Sequence, residues 1–323
     1  MSESTMATGD DPAGTDTMTD AGSIFLPEGE GRYTPTEYAR GPWDPRAQHG
    51  GAPATLIAGA FERMEPGAEL PFARLSFSFL RPVPLAPLQL TTRIVRPGRR
   101  VQELEAELRA VGTPDGAAGS GSGAGGATGG PKDGELVCRA HALRILPAPE
   151  ELPALALRVV ETHEPPPLPG REEGHSVHFA PGGGEYTSFA ASAMEMRFLH
   201  GRPLKGQLPE VGVSSAHSPV GTAGVWMRLC RPVLPGEVPT PLVYAMAAAD
   251  FGNGIAAVLP FDEYVFINAD LAITLNRRPE GEWIGLDART MLHPGGIAWA
   301  ESVMHDERGP FGLATQALVV QPR

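Results

Sequence analysis

Residues 41–64 read GPWDPRAQHGGAPATLIAGAFERM, and this stretch decides the fold. Its first ten residues are turn-formers around Trp43, and Gly50 and Gly51 lead into a segment that is apolar nearly all round. Pro53 suits the first turn of a helix, where a missing N–H costs little. A helix apolar on every face, here running to about Met64, must be enclosed by other structure. The following residues supply the enclosure. Leu75, Phe77 and Phe79 alternate with Ser76 and Ser78, and Leu104, Ala106 and Leu108 alternate with Glu103, Glu105 and Glu107. Period-two alternation predicts strands with one buried and one wet face. A helix against a curved antiparallel sheet, an α+β unit, is the expectation.

The second half of the chain repeats that order. MEMRFLHG (194–201) and GTAGVWMRLC (221–230) read as strands. Thr240 and Pro241 form an N-cap and N1 pair opening the helix PLVYAMAAAD (241–250), which FGNG (251–254) ends with glycines. Three long strand-like segments follow: YVFINADLAITLNRRP (264–279), EWIGLDARTML (282–292) and GGIAWAESVMHDE (295–307). FGLATQALVV (311–320) comes last. Arg81-Pro82 precedes a Pro97-Gly98 turn, and Arg278-Pro279 precedes Pro294-Gly295 at the same spacing. A helix followed by a meander, present twice, predicts a duplicated unit.

Two low-complexity breaks set the domain plan. Residues 112–134 are mostly Gly, Ala and Ser, which predicts a flexible insert in the turn between the strands VQELEAELRA (101–110) and ELVCRAHALRIL (135–146). Residues 147–190 cluster Pro and Gly, which favours an extended linker. The expected layout is a disordered tail over 1–22, an N-terminal domain over 23–146, the linker over 147–190 and a C-terminal domain over 191–323. The acidic start of the chain lacks the apolar core of a signal peptide. No run of about 18 uncharged apolar residues is present, so a membrane span is not expected. Cys138 and Cys230 lie far apart in apolar runs and are expected as buried, reduced thiols in a cytoplasmic protein. A net charge of −12 argues against nucleic acid as a partner, since nonspecific binding needs phosphate neutralisation. A local Arg cluster can still hold an anionic ligand.

The catalytic motifs that would compete are missing from the sequence. It has no G-x-S-x-G elbow, no H-E-x-x-H pair, no phosphate loop and no Cys/His spacing for zinc. Neither a metal nor a cofactor is expected. Water attack assisted by a carboxylate is what remains for a hydrolase.

GPWDPRAQHGGAPATLIAGAFER (41–63) resembles the start of the first hotdog domain in acyl-CoA thioesterase II-like proteins. RLSFSFLRPVPL (74–85) and LTTRIVRPGRRVQELEAEL (90–108) continue the likeness. AMAAADFGNGI (245–255), FINADLAITLNRRPEGEWIGLDART (266–290) and IAWAESVMHDERGPFGLATQALVV (297–320) resemble the family's C-terminal domain. Most of residues 32–146 and 190–321 are covered. The resemblance implies two tandem hotdog domains, each a long helix wrapped by a curved antiparallel sheet. It implies hydrolysis of acyl-CoA or another acyl thioester without a covalent serine intermediate, and a possible homodimer. In such proteins an Asp, a Thr and a Gln position the attacking water. Asp250 matches the Asp and Gln316 the Gln, while the Thr position falls on Asn268, a departure that leaves activity or substrate range open.

Each of these residues also has a plainer reading. Asp250 ends an apolar helix, where the macrodipole disfavours negative charge and burial would raise its pKa toward a useful base; it is equally a turn residue bonded to the FGNG backbone. Gln316 alternates with Ala314 and Leu318, and needs either a bound water or a neighbouring backbone group. Asn268 orients the same water or caps a strand. His49, Gly50 and Gly51 precede the first helix, whose N-terminal amides could stabilise an oxyanion; the glycines also suit a tight turn, and His49 a structural hydrogen bond. Arg99, Arg100, Arg277 and Arg278 are candidates for CoA phosphates or solvated surface. Two other functions stay open: an acyl-thioester hydratase or dehydratase using His49, and a noncatalytic acyl-ligand binder.

Overall fold

The computed structural model describes residues 22–64, 70–112, 131–148, 164–177, 187–201 and 221–323, with 153, 154 and 158 between them. Most of the expected tail and insert, and much of the linker, lie outside these residues. The first half contributes strands β1 (Phe25–Gly29) and β2 (Arg32–Pro35), helix α1 (Gly51–Arg63), then β3 (Phe72–Phe79), β4 (Leu88–Arg96), β5 (Val101–Ala110) and β6 (Leu136–Ile145). Next come β7 (His175–Val177), β8 (Met194–Gly201), β9 (Thr222–Leu229), α2 (Pro241–Ala249) and α3 (Gly252–Ile255). Strands β10 (Tyr264–Asn268), β11 (Asp270–Leu275), β12 (Trp283–Leu292), β13 (Ile297–Asp306) and β14 (Gly309–Pro322) complete the fold.

One sheet runs through both halves in the order β1-β2-β4-β5-β6-β3-β11-β14-β13-β12-β9-β8-β7, every pairing antiparallel. The meander β4-β5-β6-β3 meets its counterpart β11-β14-β13-β12 head to head, so the duplication read from the sequence becomes an approximate two-fold centred on the β3–β11 pair. Leu271 and Ile273 on β11 and Leu75 and Phe77 on β3 are buried across this seam. α1 and α2 pack against each other, and one apolar core cluster joins both halves.

The helices are shorter than the long ones expected. α1 spans 13 residues and ends with Met64 in extended conformation, two residues before Pro66. A residue before proline is disfavoured in helix, which limits further growth. α2 spans 9 residues, each from Leu242 to Ala249 buried, with Thr240 as its N-cap and Pro241 at N1. FGNG does not simply stop it: Asp250 caps α2, and the chain turns once more as α3. The long strand expected over 264–279 breaks at Ala269 into β10 and β11, both on β14, with only β11 reaching β3. Within the expected linker, His175–Val177 forms an edge strand on β8, and the indole N–H of Trp226 donates to the Pro169 carbonyl at 2.8 Å.

Cys138 is buried and burial pushes its thiol up to about 12, whereas Cys230, expected buried, is only half-buried. Among the described residues no helix is long and apolar enough to cross a membrane.

Candidate active site

The end of α2 is where side chains distant in sequence meet. Helix C-termini leave carbonyls without partners inside the helix. The carbonyl of Asp250 accepts from Nε2 of Gln316 at 3.1 Å, and the same Nε2 donates to Asp250 Oδ1 at 3.2 Å. Gln316 is buried because β14 alternates: Ala314, Gln316 and Leu318 all face inward. Its other end is fixed as well. Oε1 accepts the backbone N–H of Asn253 at 3.1 Å, which settles the orientation of the amide. A Cβ built on Gly252 would stand 3.0 Å from that oxygen and 2.7 Å from Ser302 Oγ, so this turn requires its glycine.

Asn268 comes from the last position of β10. Its Nδ2 donates to Asp250 Oδ1 at 2.8 Å and to the Asp270 carbonyl at 3.1 Å, so both amide hydrogens are used and the side-chain oxygen is the remaining acceptor. Two donors thus converge on one oxygen of a carboxylate that is 4% exposed. On the other side, His49 Nδ1 lies 3.0 Å from Asp250 Oδ2 and 3.1 Å from the Gly51 nitrogen. One nitrogen cannot donate to the first and accept from the second at once. The His49 ring is held between Phe189 and Phe251, with centroids at 5.1 and 4.4 Å.

Gly50 permits this approach. A Cβ there would come within 2.7 Å of Asp250 Oδ2. The expected set of helix-terminal amides is narrower than the sequence suggested: Gly51 N–H faces His49 Nδ1, and Ala52 N–H donates to the His49 carbonyl. Among the described residues the Gly50 N–H has no hydrogen-bond partner.

Asp250, Asn268, Gln316, His49, Gly50 and Gly51 therefore form one cluster, and the arginines do not join it. Arg277, a candidate for phosphates, is committed elsewhere: its guanidinium makes bonds of 2.5 and 2.7 Å to the buried Asp306 and another to the Gly309 carbonyl. Burial acts to raise the Asp306 carboxyl, but bonds from Arg277 and from the Arg308 and Glu280 backbones hold it below its ordinary value. A buried carboxylate demands that counter-ion, which is why Arg277 is structural. Arg99 and Arg100 are exposed in the β4–β5 turn, and Arg278 is exposed near Glu62 at the far end of α1. Asn253 and Gly252 were missed as contributors; their only sequence signal is the FGNG immediately after Asp250. Among the described residues no group of three His, Cys, Asp or Glu side chains is placed to hold a metal ion.

Comparison with known proteins agrees in order and extent. The family model for the acyl-CoA thioesterase N-terminal domain matches residues 39–122, and that for the acyl-CoA thioesterase C-terminal domain matches residues 161–320. No curated protein matches. Among solved structures, a putative thioesterase II from Thermobifida fusca superposes with a TM-score of 0.62 at 17% identity, covering 95% of this chain and 97% of that one. A conserved hot dog fold protein of unknown function from Alicyclobacillus acidocaldarius gives 0.62 at 15% identity, covering 96% and 98%. An acyl-CoA thioesterase II from Mycobacterium marinum gives 0.51 at 16%, covering 95% of each chain. At these identities the structures speak for the hotdog fold.

Proposed function

The chain belongs to the acyl-CoA thioesterase family and is by class a thioester hydrolase, and from that premise we propose that Asp250, aided by Asn268 and Gln316, activates water against an acyl-CoA thioester. The observation that carries this reading is the convergence of the Asn268 and Gln316 amides on Asp250 Oδ1. Those bonds hold the carboxylate in place, leaving Oδ2 as the oxygen that faces the His49–Gly50 turn. A water there donates to Oδ2 while the Asn268 side-chain oxygen accepts its other hydrogen.

In the step, the water oxygen bonds to the thioester carbonyl carbon as Asp250 takes one proton. The carbonyl oxygen becomes an oxyanion facing Gly50 N–H, where a preorganised donor matters most. Collapse breaks the C–S bond, and the proton held by Asp250 goes to the thiolate, giving free acid and thiol. Asn268 supports this chemistry in place of the family Thr because its carbonyl can accept from the water while its amide holds Asp250.

The test is thioester cleavage followed by thiol release across acyl-CoA chain lengths, with Asp250→Asn as control. Equal rates for the two proteins reject the Asp250 role. Saturable acyl-CoA binding with no turnover by the wild type favours a noncatalytic binder.

A further inference from the structure

Beside the polar cluster stands a second group of rings that the proposed chemistry does not use. Trp43, from the loop before α1, stacks on Phe261, from the turn after α3, with centroids 4.5 Å apart and planes at 12°. Both rings meet Phe266 of β10 edge-on, each at 4.9 Å. Phe266 and Asn268 are two apart on one strand, so they share a face and lie roughly 7 Å apart. Phe266 is therefore the neighbour of Asn268, and it joins Trp43 and Phe261 to that strand.

Exposure separates its members. Phe266 is 3% exposed and belongs to the interior, whereas Trp43 and Phe261 are half-buried and borne on turns from opposite halves of the chain. On the opposite flank, Phe189 and Phe251 around His49 are buried. Asp250 and Gln316 are buried too, and Asn268 is half-exposed. Asn268, Trp43 and Phe261 thus all keep partial contact with solvent.

Charge decides which part of the substrate this wall suits. Asp44, Asp262 and Glu263 flank the two rings in sequence, against Arg46 and Arg323. Arg46 is already paired with Asp44 at 2.9 Å, and the Arg323 guanidinium lies 5.7 Å over the Trp43 ring. Carboxylates outnumber cations, so a phosphate-bearing nucleotide is poorly matched here and an uncharged apolar chain is well matched.

We propose that Trp43 and Phe261 form a paired aromatic wall that contacts the acyl chain next to the scissile carbonyl and sets which acyl groups are accepted. This assignment rests on the thioesterase reading above. Because pocket contacts discriminate by roughly 10–200-fold per methylene, the expected effect is a change of preference and not an abolition of activity.

The experiment uses the full chain and acyl-CoA substrates from two to sixteen carbons, comparing wild type with Trp43→Ala, Phe261→Ala and the ring-preserving Trp43→Phe. Both alanine variants are expected to shift the ratio of long-chain to short-chain kcat/KM by about tenfold, while Trp43→Phe keeps the wild-type profile. A uniform loss at every chain length, or an unchanged ratio in soluble folded variants, overturns the proposal. Binding of nonhydrolysable acyl-CoA thioethers of the same lengths, read by tryptophan fluorescence, is measured in parallel. If the wild type binds but hydrolyses nothing, the thioesterase reading fails, and the wall stands or falls on whether the alanine variants alter the chain-length dependence of that binding.

Discussion

The ends of α1 and α2 meet the same physical need in two ways. At α2, Gln316 on β14 donates to the carbonyl of Asp250 and keeps a second hydrogen for the carboxylate. At α1, the strand position two beyond Ala142 on β6, as Gln316 is two beyond Ala314 on β14, is Arg144. Its guanidinium donates to the carbonyls of Phe61 at 2.7 Å and Met64 at 3.1 Å, and to Gln102 Oε1 at 3.1 Å. The opposing helix starts differ correspondingly. Gly50 faces Asp250 at one junction, while at the other Thr240 donates to Glu62 at 2.6 Å and Pro241 has no N–H to offer an oxyanion. Duplication supplied two helix junctions; one sets a neutral amide and a glycine against the Asp250 carboxylate, and a buried guanidinium makes the other a fastening.

The largest test of this contrast is Asp250→Asn, which removes the proposed base but keeps the shape. A fall in kcat of about 10³-fold with little change in KM is expected from steady-state thiol release. Gly50→Ala comes next. Its methyl would press on Asp250 Oδ2, and displacing a reacting group by a fraction of an ångström predicts a loss of about 10²-fold in kcat, with the circular dichroism of the wild type.

At the other junction the effects should fall on stability. Arg144→Met leaves the Met64 carbonyl without its side-chain donor and the Phe61 carbonyl with only the Met64 N–H, so a loss of about 2 kcal/mol in urea unfolding is expected. Hydrolysis by the folded fraction should change little; a catalytic loss like that of Asp250→Asn would break the contrast.

Smallest is Glu62→Gln. Burial, opposed by the Thr240 hydroxyl and by Arg144, Arg63 and Arg278, holds the Glu62 carboxyl above its ordinary value. A raised folded value means the native state binds the proton more tightly than the unfolded chain. Wild-type stability therefore declines as pH rises from the ordinary carboxylate value through the raised one. Glu62→Gln should flatten that slope in urea titrations at several pH values and leave thioester cleavage within about twofold. An unchanged slope would assign the pH dependence to other groups.

Much of this fold was legible in the chain. Apolar residues on every face of 51–63 gave a buried helix, alternation gave β3 and β5, and Thr240-Pro241 gave the start of α2 to the residue. Helix length was not, because α1 stops at an extended Met64 and α2 at a cap that leads into α3. Of the site, Asp250, Asn268 and Gln316 were legible through likeness to a family. The pairing of Arg277 with Asp306 was not legible, because an arginine in a sequence does not reveal the buried carboxylate it will meet.

Sequence by itself determined which segments are helix or strand, that the unit occurs twice, and which residue types stand at the helix ends. Those are local properties, written in periods of two and of about 3.6 residues. Only the tertiary structure decided that residues 49, 250, 268 and 316 share one carboxylate, and that residue 144 closes the matching position with a guanidinium. Such meetings depend on strand register and helix packing between segments up to hundreds of residues apart, and nothing in the local pattern encodes which side chain will face which.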